Sequence, residues 1–372
     1  MEREFRELCE KGELDEIKQL LRDHAGDIHV YNEHISGNAC RSGNKELVEF
    51  LLNYALSVNS PINIHADDEH GFRNACCSGN ILLVELLLEY AISVNSPIDI
   101  HAYNEHGFRN ACYSGNIPLV KFLLEYAISI DSPIYIHAHD EHVFRNACRY
   151  ENIPLVEFLL EYAISIDSPI DIHADNEHGF RYACYSGNIP LVELLLEYAI
   201  SVNSPIDIHA CGEHGFRNAC CSGNILLVEL LLEYAISVNS PIDIHAYNEH
   251  GFRNACYSGN KELVEYLLDY TLSVNSPIDI HADNSDAFVR TCGEHHDSII
   301  QLLIDESKFT PIKYLHDQHN KTGYIFNSDF TPDTPDIHNY ETILFQTVGN
   351  KTPSQDYLDN NIGKLVRKKS AR

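Results

Sequence analysis

The chain has 372 residues, with 55 acidic against 26 basic side chains, a formal net charge of -29 and a sequence pI near 5.0. That balance argues against a surface built for phosphate backbones, where basic patches supply most of the affinity, so nucleic acid is not an expected partner. The N-terminal "MEREFRELCEKGELDEIKQLL" is charged and amphipathic, and no stretch approaches 18 uncharged apolar residues. Neither a signal peptide nor a membrane span is expected, and the reading is a soluble, intracellular protein of the cytoplasm.

The first predicted element in chain order is a capping unit over residues 1–30. Phe5 and Arg6 stand where later units place Phe72 and Arg73, while "LLRDHAGDIH" is shorter and more charged than the later "LLEYAISVNSPIDIH". A polar outer face suits a terminal unit that meets solvent. From residue 31 to 307 one text repeats. Its fullest copy, "EHGFRNACYSGNIPLVKFLLEYAISIDSPIYIHA", runs from Glu105 to Ala138, and its Phe108 belongs to a ladder with Phe72, Phe144, Phe180, Phe216, Phe252 and Phe288, always 36 residues apart. Cysteines from Cys40 to Cys292 and histidines from His29 to His281 keep the same step. A fixed period of roughly 20 to 50 residues marks units that cannot bury their apolar face alone and pack only on their neighbours.

Within one repeat, His65 to Glu69 is polar and short. Phe72, Ala75 and Cys76 then fall at i, i+3 and i+4, which predicts a first helix of about nine residues. Glu69 and Arg73 are four apart in the favourable acid-before-base order, a pair that recurs in later repeats and is expected to form on the helix surface. "SGN" supplies the chain reversal and Asn80 an N-cap for a second helix over Ile81 to Val94. Pro118, Pro154 and Pro190 agree, since only a first helical turn accepts proline without losing a hydrogen bond. Leu83, Val84, Leu87, Leu88, Ala91 and Ile92 form a broad apolar arc, with Glu85 and Glu89 on the wet side. Pro97 ends the helix near "NSP". A helix, a tight turn, an antiparallel helix and a returning loop make an αα-hairpin, and the fold class is all-α.

"ACCSGNILLVELLLEY" resembles the ankyrin-repeat pattern Ala-Ala-x-x-Gly-His-x-x-x-Val-x-x-Leu-Leu, with Asn80 in place of the histidine, and "DIHAD" resembles the family's inter-repeat turn. The resemblance covers Phe5 to about Ile304 and implies an ankyrin-repeat solenoid of about nine stacked helix-turn-helix units. The variant with "FRNAC" and "DIH" is similar to the ankyrin arrays of giant DNA viruses of amoebae, which implies a host-cell cytoplasm as its setting. Three features depart from the family. Thr-Pro-Leu-His is replaced by "HGFR" (His70 to Arg73), the period is 36 rather than about 33 residues, and "AISVNSPI" replaces a short Gly-Ala after the second helix.

Residues 308–372 form a non-repeat tail in which "GYIF" and "ETILFQTV" are candidate short strands or docking segments between stretches rich in Pro, Asp and Asn. "RKK" at Arg367 to Lys369 reads as a solubilising end rather than a nuclear address. Asn320 and Asn350 open sequons expected to be silent in the cytosol.

Of the twelve cysteines, the eight at equivalent places in successive repeats read as small buried apolar residues in a reducing compartment, because helices about 8 to 10 Å apart hold ladder neighbours beyond the ~7 Å reach of a disulfide. "HADNEH" (His173 to His178) offers metal-ligand types, but a site needs three or four ligands converging on one point, and a turn repeated at solenoid spacing does not supply them. A Cys112 and His106 pair resembles nucleophile chemistry in type alone, since catalysis needs one distinct constellation and these residues recur throughout. No cofactor, no metal and no enzymatic activity are therefore expected.

The positions that vary between otherwise identical repeats are the informative ones. After the turn alanine stand Asp67, Tyr103, His139, Asp175, Cys211, Tyr247 and Asp283, and after the ladder cysteine Cys77, Tyr113, Arg149, Tyr185, Cys221 and Tyr257. The resemblance places both sets on the concave surface where partners of the family bind, and Tyr and Arg are enriched at interface hot spots. Tyr103, Tyr113, His139, Arg149, Asp175, Tyr185, Tyr247 and Tyr257 are the partner-binding candidates. Two rows of glutamates, Glu157 to Glu265 and Glu125 to Glu233, read as a solvated convex face. The text from Glu69 to Gly115 recurs unchanged from Glu213 to Gly259, and such duplication lengthens a surface without disturbing a core. The expectation is a monomeric, non-enzymatic scaffold that binds a protein partner on its concave face. The alternative is an adaptor recruiting host proteins to a degradation or signalling complex through the tail.

Overall fold

The structure, a computed structural model, describes residues 2–23, 35–59, 61–307, 310–316 and 322–327. It divides into two compact units, residues 1–175 and 176–372. The first holds α1 (Glu2–Lys11), α2 (Leu14–Asp23), a π-helical turn α3 (Ile35–Ala39), α4 (Lys45–Ser57), α5 (Ala66–Ser78), α6 (Ile81–Ser93), α7 (Ala102–Tyr113), α8 (Ile117–Ser129), α9 (Ala138–Arg149) and α10 (Ile153–Ser165). The second holds α11 (Ala174–Ser186), whose first two residues fall to the first unit, then α12 (Ile189–Ser201), α13 (Ala210–Ser222), α14 (Ile225–Ser237), α15 (Ala246–Ser258), α16 (Lys261–Ser273), α17 (Ala282–Glu294) and α18 (Asp297–Ser307). A two-stranded antiparallel hairpin follows, β1 (Thr310–His316) paired with β2 (Thr322–Asn327), which contains the "GYIF" segment. "ETILFQTV" and residues 24–30 of the predicted cap lie outside the described residues.

The second helices form where capping chemistry dictates. Asn80 sits at extended φ/ψ and its side chain accepts the N–H of Leu83, satisfying one of the orphan donors of the first turn. Asn44, Asn116, Asn152, Asn188, Asn224 and Asn260 do the same for their helices. Gly79 closes the preceding helix in the left-handed conformation at φ 73, where glycine carries no Cβ penalty. The second helices α4, α6, α8, α10, α12, α14 and α16 stop at serine, with Asn95 and its Asn or Asp equivalents left-handed beyond them.

The first helices contain a feature that helical periodicity does not reveal. Asp67, Asp68 and Glu69 are all left-handed, with φ of 50, 52 and 63. Tyr103 to Glu105, His139 to Glu141, Cys211 to Glu213 and Tyr247 to Glu249 repeat the arrangement. Such geometry costs about 1–2 kcal/mol per non-glycine residue and persists only when its surroundings over-determine it. Two clamps do so. From inside, the buried Glu69 carboxylate meets His65 Nδ1 at 2.7 Å, and His65 Nε2 meets Ser96 Oγ at 2.7 Å. From outside, the Arg73 guanidinium donates to the carbonyls of Asp67 and Asp68 at 2.7 and 2.9 Å. The expected surface pair between Glu69 and Arg73 is thus corrected. The left-handed turn rotates the acid inward, so each member of the pair holds a different side of the turn.

Within each unit, successive repeats are joined by ladders. The Phe and Cys ladders are buried, as are the leucines and alanines of the second helices, each large side chain contributing about 1.5–3 kcal/mol. Glu69 Oε1 accepts the Asp99 N–H of the next repeat at 3.1 Å. Asn80 Nδ2 donates to Gly43 O at 2.8 Å and Asn110 Nδ2 to Arg73 O at 2.9 Å, each across one repeat. Ile92 departs from its expected place in the apolar arc and is 59% exposed, as are its counterparts Ile128, Ile164, Ile200 and Ile236 to similar degrees. The arc ends one residue earlier, at Ala91.

Candidate functional site

All eight candidate residues are exposed, on the side of the turns and the first helices. In the first unit these are Tyr103, Tyr113, His139, Arg149 and Asp175; in the second, Tyr185, Tyr247 and Tyr257. The fixed framework fills the interior, and the side chains that change from repeat to repeat reach solvent.

Four of the varying turn residues, Tyr103, Asp175, Tyr247 and Asp283, meet the arginine of the repeat before them. Arg73 lies 4.6 Å from the ring centre of Tyr103, and Arg217 lies 4.6 Å from that of Tyr247, both cation–π geometries. Where the turn residue is acidic the same arginine forms an ion pair, Arg145 with Asp175 and Arg253 with Asp283, both at 2.6 Å. The arginines clamp the turn with two nitrogens and present the third to whatever the next repeat offers. Sequence periodicity missed this role; the signal available was the 30-residue spacing from each arginine to the next varying position.

The histidines beside these arginines resist protonation. Partial burial and the adjacent guanidinium charges hold His70, His106, His142, His214 and His250 below the usual imidazole range. Arg73 Nη1 accordingly donates to His106 Nδ1 at 3.0 Å, and Arg217 Nη1 to His250 Nδ1 at 2.9 Å. The face is thus a mixed surface of aromatic rings, guanidinium groups and uncharged imidazoles, while the glutamate rows lie along the second helices.

The repeat of α9 breaks the pattern most, α17 departing from it more mildly with the buried Ala287. Gly107, Gly215 and Gly251 each approach a phenylalanine of the preceding repeat so closely that a Cβ would stand 2.6–2.7 Å from its ring. The equivalent residue in α9 is Val143, which is buried. An isopropyl group cannot occupy a space that excludes a methyl, so α9 cannot approach α7 as its counterparts approach their neighbours. Asn146 shows the consequence. Its side chain donates to His142 O at 2.8 Å and to the Tyr113 hydroxyl at 3.2 Å, where Asn110 instead reaches the preceding repeat's backbone. The turn that follows reads Tyr150-Glu151-Asn152 in place of Ser-Gly-Asn, and an open notch of about 310 Å³ is lined by Tyr113, Asn146 and Tyr150.

Among the described residues no three His, Cys, Asp or Glu side chains converge as a metal site. His178, from the "HADNEH" stretch, packs 4.5 Å from the Tyr182 ring. All eight ladder cysteines are free and buried, and burial raises their thiols far above the reactive range, Cys40 to about 12. No helix of the described residues is long and apolar enough to cross a membrane.

The family model for ankyrin repeats (3 copies) matches residues 108–206 and 180–278. A solved structure titled as the human ASB11 ankyrin repeat domain is 21% identical, covering 52% of this chain and 82% of that one, with a TM-score of 0.37. A comparison with curated proteins finds no match. Ankyrin repeats are in general protein–protein interaction modules. Over residues 108–278 the chain is made of ankyrin repeats, and its helical array has the all-α fold of that family.

Proposed function

We propose that the chain is a non-enzymatic scaffold that captures a protein partner on the face formed by its turns and first helices, the concave face of an ankyrin array. The observation that carries this reading is the exposure of tyrosines at the varying positions, 59% for Tyr103, 57% for Tyr185 and 63% for Tyr247, on an otherwise constant framework. Tyr and Arg supply large contact area at small entropic cost and dominate interface hot spots, whereas Val and Leu are under-represented there. The competing apolar set, Ile92 and its equivalents, is nearly constant from repeat to repeat and aliphatic, which favours the tyrosine face as the recognition surface. The arginine clamps pre-order that face, so binding orders little additional chain. A host-cell cytoplasm is the setting in keeping with the likeness of "FRNAC" and "DIH" to giant-virus arrays.

The test is an affinity capture from cell lysate read by mass spectrometry, with the full chain beside a Tyr103→Ser, Tyr185→Ser, Tyr247→Ser variant and a version ending at Ser307. A partner held by the full chain and the shortened version but lost from the tyrosine variant supports the scaffold. A partner insensitive to the tyrosines and lost with residues 308–372 overturns it in favour of the tail adaptor.

A further inference from the structure

The notch at the broken repeat differs chemically from the rest of the face. In other repeats the third guanidinium nitrogen is occupied: Arg73 Nη1 by His106, Arg145 Nη1 by Asp175, Arg217 Nη1 by His250 and Arg253 Nη1 by Asp283 and Asp286. Arg109 clamps its own turn through Nε to Asn104 O at 3.2 Å and Nη2 to Tyr103 O at 3.1 Å. Its Nη1 has no partner among the described residues. The imidazole that would receive it, His142, is turned to the Tyr113 hydroxyl at 2.9 Å, ring edge to ring face at 5.8 Å. Arg149 lies 6.0 Å from the Tyr150 ring at the rim. Arg109 and Arg145 are both close enough to depress His142, although burial is the larger cause.

The Arg109 nitrogen and the Tyr150 hydroxyl are the donors left for a single negative charge, while the Asn146 amide and the Tyr113 hydroxyl are held by each other and by His142. The two tyrosine rings offer apolar cover for the one or two methylenes that carry a carboxylate. A polyanion is disfavoured, because Arg109 brings a single uncommitted nitrogen to the notch and the chain as a whole carries -29. We propose that the notch lined by Tyr113, Asn146 and Tyr150 receives an aspartate or glutamate side chain of the partner protein, with Arg109 as its counter-ion. This rests on the scaffold reading and adds the chemistry of one contact: the partner presents an acidic residue at the point where Val143 holds two repeats apart.

The experiment selects binding peptides from a random library displayed on phage against the full chain, then measures the synthesised peptides by calorimetry. Expected is a shared Asp or Glu whose change to Asn or Gln weakens binding about tenfold, the size of one charge-assisted hydrogen bond. Tyr150→Ser and Val143→Gly should weaken the same peptides comparably. Both place at their site the residue that other repeats carry, so both are expected to fold, and circular dichroism verifies it. Ile236→Ser, on the exposed aliphatic set away from the tyrosine face, should leave binding unchanged. Peptides without a shared acid, or indifferent to Tyr150→Ser and Val143→Gly, overturn the notch. If such peptides are nevertheless lost on Tyr103→Ser or Tyr247→Ser, the scaffold reading survives the failure of the notch. Peptides indifferent to every tyrosine variant, or a selection that yields none, overturn the notch and leave the scaffold to the lysate capture.

Discussion

The Glu249 carboxylate holds two repeats at once: its Oε1 lies 2.7 Å from His245 Nδ1 in its own repeat and accepts the Asp279 N–H of the next at 3.1 Å. Its Oε2 is buried with no hydrogen-bond partner. One oxygen therefore carries the whole linkage, and the second is a desolvated acceptor whose charge no hydrogen bond offsets.

Removing that oxygen should be costly and removing the charge should not. Glu249→Ala strands the His245 ring and the Asp279 N–H and is expected to destabilise by about 2–3 kcal/mol. Glu249→Gln keeps one oxygen to accept from Asp279 and is expected to stay within about 1 kcal/mol of the parent. Urea unfolding of the two variants measures the difference. Equal losses would show that the charge, not the linkage, matters.

Glycine to alanine within a helix ordinarily stabilises by about 1 kcal/mol. At Gly251 the sign should reverse, because the new Cβ would lie 2.7 Å from Phe216 Cε1. Overpacking of this kind costs about 1–3 kcal/mol. A lowered thermal midpoint for Gly251→Ala is the expected outcome, and a raised one would mean that the Phe216 ring yields freely.

Stability should fall on mild acidification. His70, His106, His142, His214 and His250 are held below the free imidazole value, burial being the first cause in each. The unfolded chain binds protons at about pH 6.5 that the folded chain refuses, so their contribution is complete above that value and is lost as the pH drops below it. Glu141 acts oppositely. Burial raises its carboxyl, so it favours the fold as the pH falls through its folded value and opposes it above. Between pH 7.5 and 5.5 the five imidazoles are expected to outweigh it, and the urea midpoint should be lower at pH 5.5. Replacing His142 by Asn should reduce that dependence.

Thiol chemistry should divide the twelve cysteines sharply. Cys77 and Cys211 are exposed, Cys221 is partly exposed with a thiol raised by burial, and the other nine are buried. A disulfide-exchange reagent at neutral pH is expected to label two thiols quickly, a third slowly and the rest only after unfolding. Rapid labelling of more than three in the native state would contradict the buried ladder.

The repeat period, the nine-residue first helix, the Asn caps, the placement of Pro118, Pro154 and Pro190, and the exposure of the varying positions were all legible in the residues. Each depends on contacts within one helix turn or on burial patterns that recur at a constant step, and such signals are local. The Glu69 to Arg73 pair was misread for the same reason. A four-residue spacing implies a shared helix face only when the backbone between is helical, and the left-handed turn lies just before that stretch. Ile92 was placed inside because it continues the apolar period, whereas the position of the neighbouring helix decides where the arc ends.

What the sequence by itself determined is the helical, repeating architecture, since hydrophobic period and capping chemistry are written along the chain. What only the tertiary structure decided is the work of the polar side chains: Glu249 reaching a backbone thirty residues away, Arg73, Arg145, Arg217 and Arg253 meeting the varying residue of the next repeat, and Val143 parting two helices whose counterparts touch where glycine stands. Those contacts cross between repeats, and their geometry exists only once the backbones have packed.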